Sequence, residues 1–418
     1  MASRSDSQEN IGKPIRCKAA ICRKAGEPLI IEEVELDPPK AGEVRIKILC
    51  TALCHSDVTI WKKDSGPLAK FPRIIGHEAV GVVESVGEHV EEVKEGDLVV
   101  PVFLANCGEC SDCKSPKSNM CTKFGNGFVE NMPRDGTSRF RDMKGEVVYH
   151  FLCVSSFSEY TVVDVTHVVK ISPHLPVDMA CLLSCGIESL HAGVGAVWKV
   201  ADVEEGSTVA IFGLGTVGLA VAVAAKQRGA SKIIGIDLNP EKFEIEASLP
   251  CLSYAGKKFG VTDFVNPSKC KEKSVSEVIK EMTNGGADYC FECIGLASLM
   301  ADAFNSSRDH TYTNFINYRW LVCWDQGWGK TVILGVEMHG SPLTLSPYDL
   351  ARGKTVIGSL YGGLKPKSDV PFLAKTYLDK KLDLDGFITH EVGFEDINKA
   401  FDYLLQGKSL RCIIRMDH

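Results

Sequence analysis

The chain has 418 residues, with 47 Lys and Arg against 54 Asp and Glu and a formal net charge of −7. At roughly 100–200 residues per domain this length holds two or three domains, and 44% hydrophobic with 24% charged residues is the composition of an ordinary globular protein. The mild acidic excess excludes the electrostatic footprint of a nucleic-acid or anionic-membrane binder.

No apolar run nears the ~20 residues of a membrane-spanning helix. Residues 1–10 are too polar for a secretory signal peptide, and the last residues carry no lipidation or retention signal. These features predict a cytoplasmic protein. Seventeen cysteines are the compositional anomaly. Without a signal peptide they point to metal binding or free buried thiols ahead of disulfides.

From Ile15 to Val169, short strands alternate with turn residues, as in Glu43–Leu49, Val80–Val86 and Tyr160–Val163, and few stretches hold a helical period. This half reads as all-β, a barrel. Cys54 follows one strand in Cys54-His55-Ser56-Asp57, and His77 precedes another in Gly76-His77-Glu78. From spacing alone the pair reads equally well as packed core residues or as ligands. A catalytic zinc takes three protein ligands and keeps one position open, so a third must come from elsewhere. Cys185 lies at the junction with the next half, where a metal would meet a nicotinamide. Cys107, Cys110, Cys113 and Cys121 are spaced 3, 3 and 8 in a polar loop. Four thiolates complete a tetrahedral Zn²⁺, and such a closed shell is structural.

Around residue 190 strands and helices begin to alternate. Thr208–Phe212, Lys232–Ile236, Ala287–Phe291, Lys330–Leu334 and Thr355–Gly358 are short apolar strands, and Val217–Arg228 is a small-residue helix. Repeated units of this kind predict an α/β fold, a parallel sheet covered on both faces. Gly213-Leu214-Gly215-Thr216-Val217-Gly218 follows the first strand and opens the helix. Its glycines permit the tight turn, the approach of a pyrophosphate and close helix–strand packing, and the helix N-terminus offers free N–H groups to phosphate. Asp237, nineteen residues after Gly218, ends the second strand. A carboxylate there grips both ribose hydroxyls and repels a 2′-phosphate, which favours NAD over NADP.

Cys290-Phe291-Glu292-Cys293 is not a redox or zinc motif, because residues three apart on a strand point to opposite faces. Packing accounts for these two, and for Cys17, Cys22, Cys50, Cys153, Cys181, Cys270 and Cys412. A helix near Phe394–Gln406 and a strand at Arg411–Arg415 end the chain.

With these motifs in this order, and with Thr389-His390-Glu391 near the end, the sequence resembles the zinc-dependent medium-chain alcohol dehydrogenases, plant alcohol dehydrogenase-like proteins in particular, over nearly its whole length. The resemblance implies a GroES-like β-barrel catalytic domain (1–190, with a structural zinc lobe at about 104–122), a doubly wound Rossmann NAD-binding domain (191–360) and a return segment (361–418) completing the first. It implies a homodimer joined through the Rossmann sheets, two zinc ions per subunit and a small-molecule alcohol or aldehyde as substrate. Carried over by position, Cys54, His77 and Cys185 match the catalytic zinc ligands. Ser56 matches the hydroxyl that takes the alcohol proton, Asp57 the carboxylate that orients His77, and Glu78 an acid behind the zinc. His55, Lys242 and Arg411 match cofactor contacts, and Phe103 and Phe151 the alcohol pocket.

Three departures stand out. Thr59 replaces the histidine that ends the proton relay in many members, so the resemblance implies alcohol oxidation without a step near pH 7. Gly125 stands where the glutathione-dependent formaldehyde dehydrogenase branch carries an arginine, which disfavours S-(hydroxymethyl)glutathione as substrate. Finally, Glu246–Ala255, His310–Gln326 and an excess of about three residues within Ile187–Ala192 interrupt segments that otherwise match without a gap. Pro250 breaks a capped helix, and the second segment packs Tyr312, Phe315, Tyr318, Trp320 and Trp324 into seventeen residues. They are either new binding loops or translated intron sequence, and their pattern-breaking composition favours the latter. A catalytically silent zinc- and NAD-binding homologue is the alternative if they disturb the hydride geometry.

Overall fold

A computed structural model describes residues 12–66, 69–125, 131–184, 192–242, 255–270, 272–309, 328–337, 340–384 and 386–416. The chain divides into two compact units, residues 1–187 with 365–418, and residues 188–364.

The first unit opens with β1 (Ile15–Cys22), β2 (Ile30–Leu36), β3 (Glu43–Ala52), β4 (Arg73–Ile74), β5 (Glu78–Val86), β6 (Leu98–Pro101), β7 (Phe140–Asp142), β8 (Val147–Val148), β9 (Tyr160–Asp164) and β10 (Val168–Lys170). The second unit contributes β11 (Thr208–Phe212), β12 (Lys232–Ile236), β13 (Asp263–Val265), β14 (Tyr289–Glu292), β15 (Lys330–Ile333) and β16 (Thr355–Gly358). Then β17 (Ile388–Gly393) and β18 (Arg411–Arg415) return to the first.

In the first unit one sheet runs β4-β1-β2-β7-β8, and the other runs β10-β6-β5-β3-β18-β17 with β9 also on β3. β3 is central, paired with β5, β9 and β18 at different points along its length. Seven of its ten residues, Val44, Ile46, Ile48 and Cys50 among them, are fully buried. Two short helices interrupt this β half, His55–Trp61 and Ser111–Lys114. Neither has a period to betray it. Each is started by a cysteine, Cys54 or Cys110, whose sulfur caps the first backbone N–H groups.

The second unit is one sheet in the order β13-β12-β11-β14-β15-β16, every pair parallel. Numbered within the unit this order is 3-2-1-4-5-6, the doubly wound arrangement of dinucleotide-binding proteins. Its central strands β11, β12 and β14 are buried along almost their whole length, as in a sheet covered on both faces, whereas the edge strand β16 is mostly exposed. Phe212, Ile234, Ile236, Ile279, Ala303 and Cys290 share one core, so Cys290 packs as the sequence suggested. The helix Thr216–Gln227 buries all but three of its residues, since alanines, valines and Gly218 let it lie close on the sheet. Among the described residues no helix is long and apolar enough to cross a membrane.

Candidate active site

The register of β3 on β5 sets Ala52 opposite Glu78, so the segment leaving one strand meets the segment entering the other. Asp57 locks the two together. Its Oδ2 accepts the Cys54 N–H at 2.9 Å, and its Oδ1 accepts the Gly76 N–H at 3.1 Å and lies 2.8 Å from His77 Nδ1. Both Asp57 and His77 are fully buried. A carboxylate on Nδ1 keeps the proton on that nitrogen and leaves the Nε2 lone pair for a ligand. His77 Nε2 is buried and has no hydrogen-bond partner among the described residues.

Cys54, His77 and Glu78 each bring a ligand atom within 4.8 Å of the others. A thiolate, an imidazole lone pair and a carboxylate form a donor set suited to zinc. Burial pushes the Glu78 carboxyl up to about 8, against the pull of Arg411, whose Nε lies 3.2 Å from Oε2. A cation beside these groups reverses that penalty, since it favours the ionised forms. Phe103 and Phe151 stand edge-on to the His77 ring at 6.4 and 5.5 Å, giving the cluster an apolar wall.

Ser56 is half-buried, its Oγ 3.8 Å from Cys54 Sγ, whereas His55 is exposed. Thr59 Oγ1 donates to the His55 carbonyl at 2.9 Å. Arg411 Nη2 lies 4.0 Å from Cys54 Sγ, so the arginine sits on the ligand cluster itself. Cys185 lies outside the described residues. Ser184, just before it, is fully buried; its Oγ accepts the Ala79 N–H at 2.6 Å and donates to the Cys181 carbonyl at 2.7 Å. Nothing in the sequence marks that serine.

The four-cysteine lobe closes on itself, with all four sulfurs within 4.8 Å of one another. The amides of Glu109 and Cys110 donate to Cys107 Sγ, both at 3.4 Å, and the Cys113 amide donates to Cys110 Sγ at 3.3 Å. Amides aimed at sulfur stabilise thiolates, and four thiolates so placed could hold a zinc ion in a closed tetrahedral shell. Lys365 Nζ donates to the carbonyls of Cys113 and Ser115, both at 2.6 Å, a tether the cysteine spacing does not reveal.

In the second unit Gly213 has φ +95, and its N–H donates to the Ile236 carbonyl at 2.8 Å. A Cβ on Gly218 would stand 1.8 Å from the Gly213 carbonyl oxygen, while one on Gly215 would meet nothing within 4 Å. The third glycine is therefore needed for packing, and the second leaves open space above the turn. Gly215 caps the helix that Thr216 and Val217 begin. Asp237 Oδ2 accepts the Leu214 N–H at 2.8 Å and pairs with Lys242 Nζ at 2.7 Å; Oδ1 accepts the Asn239 N–H at 2.9 Å. The acid thus reaches from the end of β12 to the glycine turn, as binding a ribose beside a pyrophosphate requires.

Two family models match the chain: "Alcohol dehydrogenase GroES-like domain" over residues 40–173 and "Zinc-binding dehydrogenase" over residues 216–311. "Alcohol dehydrogenase-like 2" of Arabidopsis thaliana is 62% identical, covering 97% of this chain and 98% of that protein. "Alcohol dehydrogenase class-3" of Oryza sativa subsp. japonica is 47% identical over 97% of this chain and 98% of its own. Among solved structures, benzyl alcohol dehydrogenase from Acinetobacter calcoaceticus superposes with a TM-score of 0.79 at 26% identity, covering 96% of this chain and 100% of that one. On the ligand cluster, the glycine turn and these matches, the chain belongs to the zinc-type medium-chain alcohol dehydrogenase family, beside the plant alcohol dehydrogenase-like proteins.

Proposed function

We propose that this alcohol dehydrogenase oxidises small or medium primary alcohols to aldehydes, and works in reverse, with NAD as hydride acceptor, two zinc ions per subunit and a homodimeric, cytoplasmic form. The observation that carries the reading is the buried cluster of Cys54, His77 and Glu78, with Asp57 fixed on His77 Nδ1.

Cys54 and His77, with Cys185 as the resemblance implies, would hold a zinc ion, which would supply a Lewis acid to lower the pKa of an alcohol, and NAD would supply the hydride acceptor. The chain does the rest. Asp57 keeps His77 in the tautomer that presents Nε2, Phe103 and Phe151 exclude water on one side, and Ser56 receives the alcohol proton. Glu78 sits behind the ligands, neutralised in part by Arg411. In the nucleotide unit Asp237 takes the ribose hydroxyls, with Lys242 beside it, and a 2′-phosphate placed there meets a carboxylate. That arrangement supports NAD over NADP. His55, Lys242 and Arg411 match, by the resemblance, positions that contact the cofactor.

The open edge of the second sheet, β16, exposes Ile357, with Val336, Tyr348 and Leu350 exposed beside it in sequence or sheet order. An apolar edge with no further strand among the described residues supports pairing with a second copy. At Gly125 no side chain is present to hold a glutathione carboxylate, which argues against S-(hydroxymethyl)glutathione despite the class-3 relative.

Purified zinc-loaded protein mixed with NAD and ethanol, hexanol or cinnamyl alcohol is expected to form NADH, more slowly with NADP, and Cys54→Ser is expected to abolish turnover. Turnover with formaldehyde and glutathione but with none of the alcohols selects the glutathione reading. Tight NAD binding without any turnover selects a silent homologue.

A further inference from the structure

The glycine turn after β11 lies between two neighbouring strands, β12 and β14, and an acid stands at the end of each. Asp237, on the β12 side, holds the Leu214 N–H directly. Glu292, the last residue of β14, has no part in the mechanism above.

Glu292 is fully buried. Its Oε1 accepts the N–H groups of Ile294 and Gly295, both at 2.8 Å. Its main-chain carbonyl accepts the N–H groups of Leu334 and Gly335 at 2.9 and 3.0 Å. Oε2 is buried without a hydrogen-bond partner among the described residues. A buried carboxylate with one unsatisfied oxygen is costly, and the fold keeps it where an uncharged residue would pack at less cost. What it organises is the turn Cys293–Gly295. The Cys293 N–H donates to the Phe212 carbonyl at 2.9 Å, and the Ile294 side chain lies so close to Gly213 that a Cβ there would stand 2.5 Å from Ile294 Cγ1. Ile294 is nonetheless 48% exposed, so it covers the first glycine on one side and faces outward on the other.

We propose that Glu292 is a positioning residue for the cofactor: its carboxylate fixes the Ile294–Gly295 turn against Gly213 and thereby sets the affinity of the glycine turn for the dinucleotide. This rests on the NAD reading above. Fully buried, Glu292 acts through the two N–H groups it holds, as Asp237 acts partly through Leu214.

The test uses zinc-loaded full-length protein and NADH titrated by fluorescence. Wild-type binding is measured first, and its absence would count against the NAD reading rather than against this one. Glu292→Gln retains an acceptor oxygen at the same reach and loses the charge, so NADH affinity is expected within about twofold of wild type. Glu292→Asp keeps the charge but withdraws the oxygen, and about fivefold weaker binding is expected, with Glu292→Met weaker by about tenfold or more. Zinc content is expected to be unchanged in all three. If the methionine variant does not fold, the Gln–Asp pair decides. Equal affinity for Gln, Asp and wild type overturns the proposal, as does a loss for Gln as large as that for Asp.

Discussion

His150 illustrates what burial does to a titratable side chain in this protein. Its ring lies 4.9 Å from that of Phe140, and Nε2 accepts the Arg139 N–H at 3.2 Å. Burial, with the charges of Arg139 and Arg73 behind it, holds the imidazole down to about 3. The unfolded chain takes up this proton near 6.5 while the folded chain refuses it. Stability is therefore untouched by His150 above pH 6.5 and falls as the pH drops from there toward 3, by up to about 1.4 kcal/mol per pH unit. Between pH 7 and pH 5 the group should cost about 2 kcal/mol. His150→Gln is expected to flatten that part of a pH series of urea unfolding curves; parallel curves for variant and wild type would refute the assignment. Thr59 is the converse case, a position without an ionisable group. Its hydroxyl is committed to the His55 carbonyl and has no base character near neutrality. Thr59→His is expected to add an ionisation near pH 6.5 to the profile of kcat/KM for alcohol oxidation, and an unchanged profile means position 59 does not end the proton path.

Among elements, legibility follows the range of the forces involved. The strands Thr208–Phe212, Lys232–Ile236, Thr355–Gly358 and Arg411–Arg415 lie where the sequence places them, because a strand in such a sheet is a bounded apolar run. The glycine turn was readable because its three glycines, its helix and its acid lie within 25 residues, from Gly213 to Asp237. The helices His55–Trp61 and Ser111–Lys114 were not, since a cap rather than a hydrophobic face starts each. The four-cysteine lobe shows both limits at once. Its four sulfurs are spaced along one loop and announce themselves, whereas Lys365 reaches the Cys113 carbonyl from 252 residues away. Ser184 and Ala79, 105 residues apart, are hidden for the same reason. Glu292 is hidden differently: its partners are adjacent, but a glutamate at a strand end has no signature without its burial.

For the whole molecule the distinguishing feature is the surplus of about 30 residues in the nucleotide half that the family resemblance implies. Glu246–Tyr254, His310–Gln326 and Ile187–His191 lie outside the described residues. The ends around the longest are informative. Arg308 N–H donates to the Ala287 carbonyl at 2.8 Å, Lys330 N–H to the Asp288 carbonyl at 3.0 Å and Thr355 N–H to the Gly329 carbonyl at 3.0 Å. A Cβ on Gly329 would stand 2.5 Å from Arg308 N. Arg308 and Gly329 therefore stand side by side, and among the described residues the sheet runs unbroken from β13 to β16. That is the expectation for sequence added to a finished fold. Tryptic digestion of the native protein followed by mass spectrometry is expected to lack the peptide from Trp320 to Lys330; its detection establishes the segment as part of the mature enzyme.

The pairing of β18 with β3, Ile413 on Ala52 and Arg415 on Cys50, has a consequence for the order in which the protein is made. β3 is translated among the first 52 residues and its neighbour among the last eight. The nucleotide unit is a continuous stretch, and every strand described in its sheet has been made once Gly358 is out. Domains form as units during synthesis, the N-terminal ones generally first; here the unit that starts first must finish last. Until Arg411 emerges, Glu78 lacks the guanidinium beside it and β3 lacks β18 along Cys50–Ala52, so the buried surroundings of Cys54, His77 and Glu78 are completed by a residue made more than 300 positions after them.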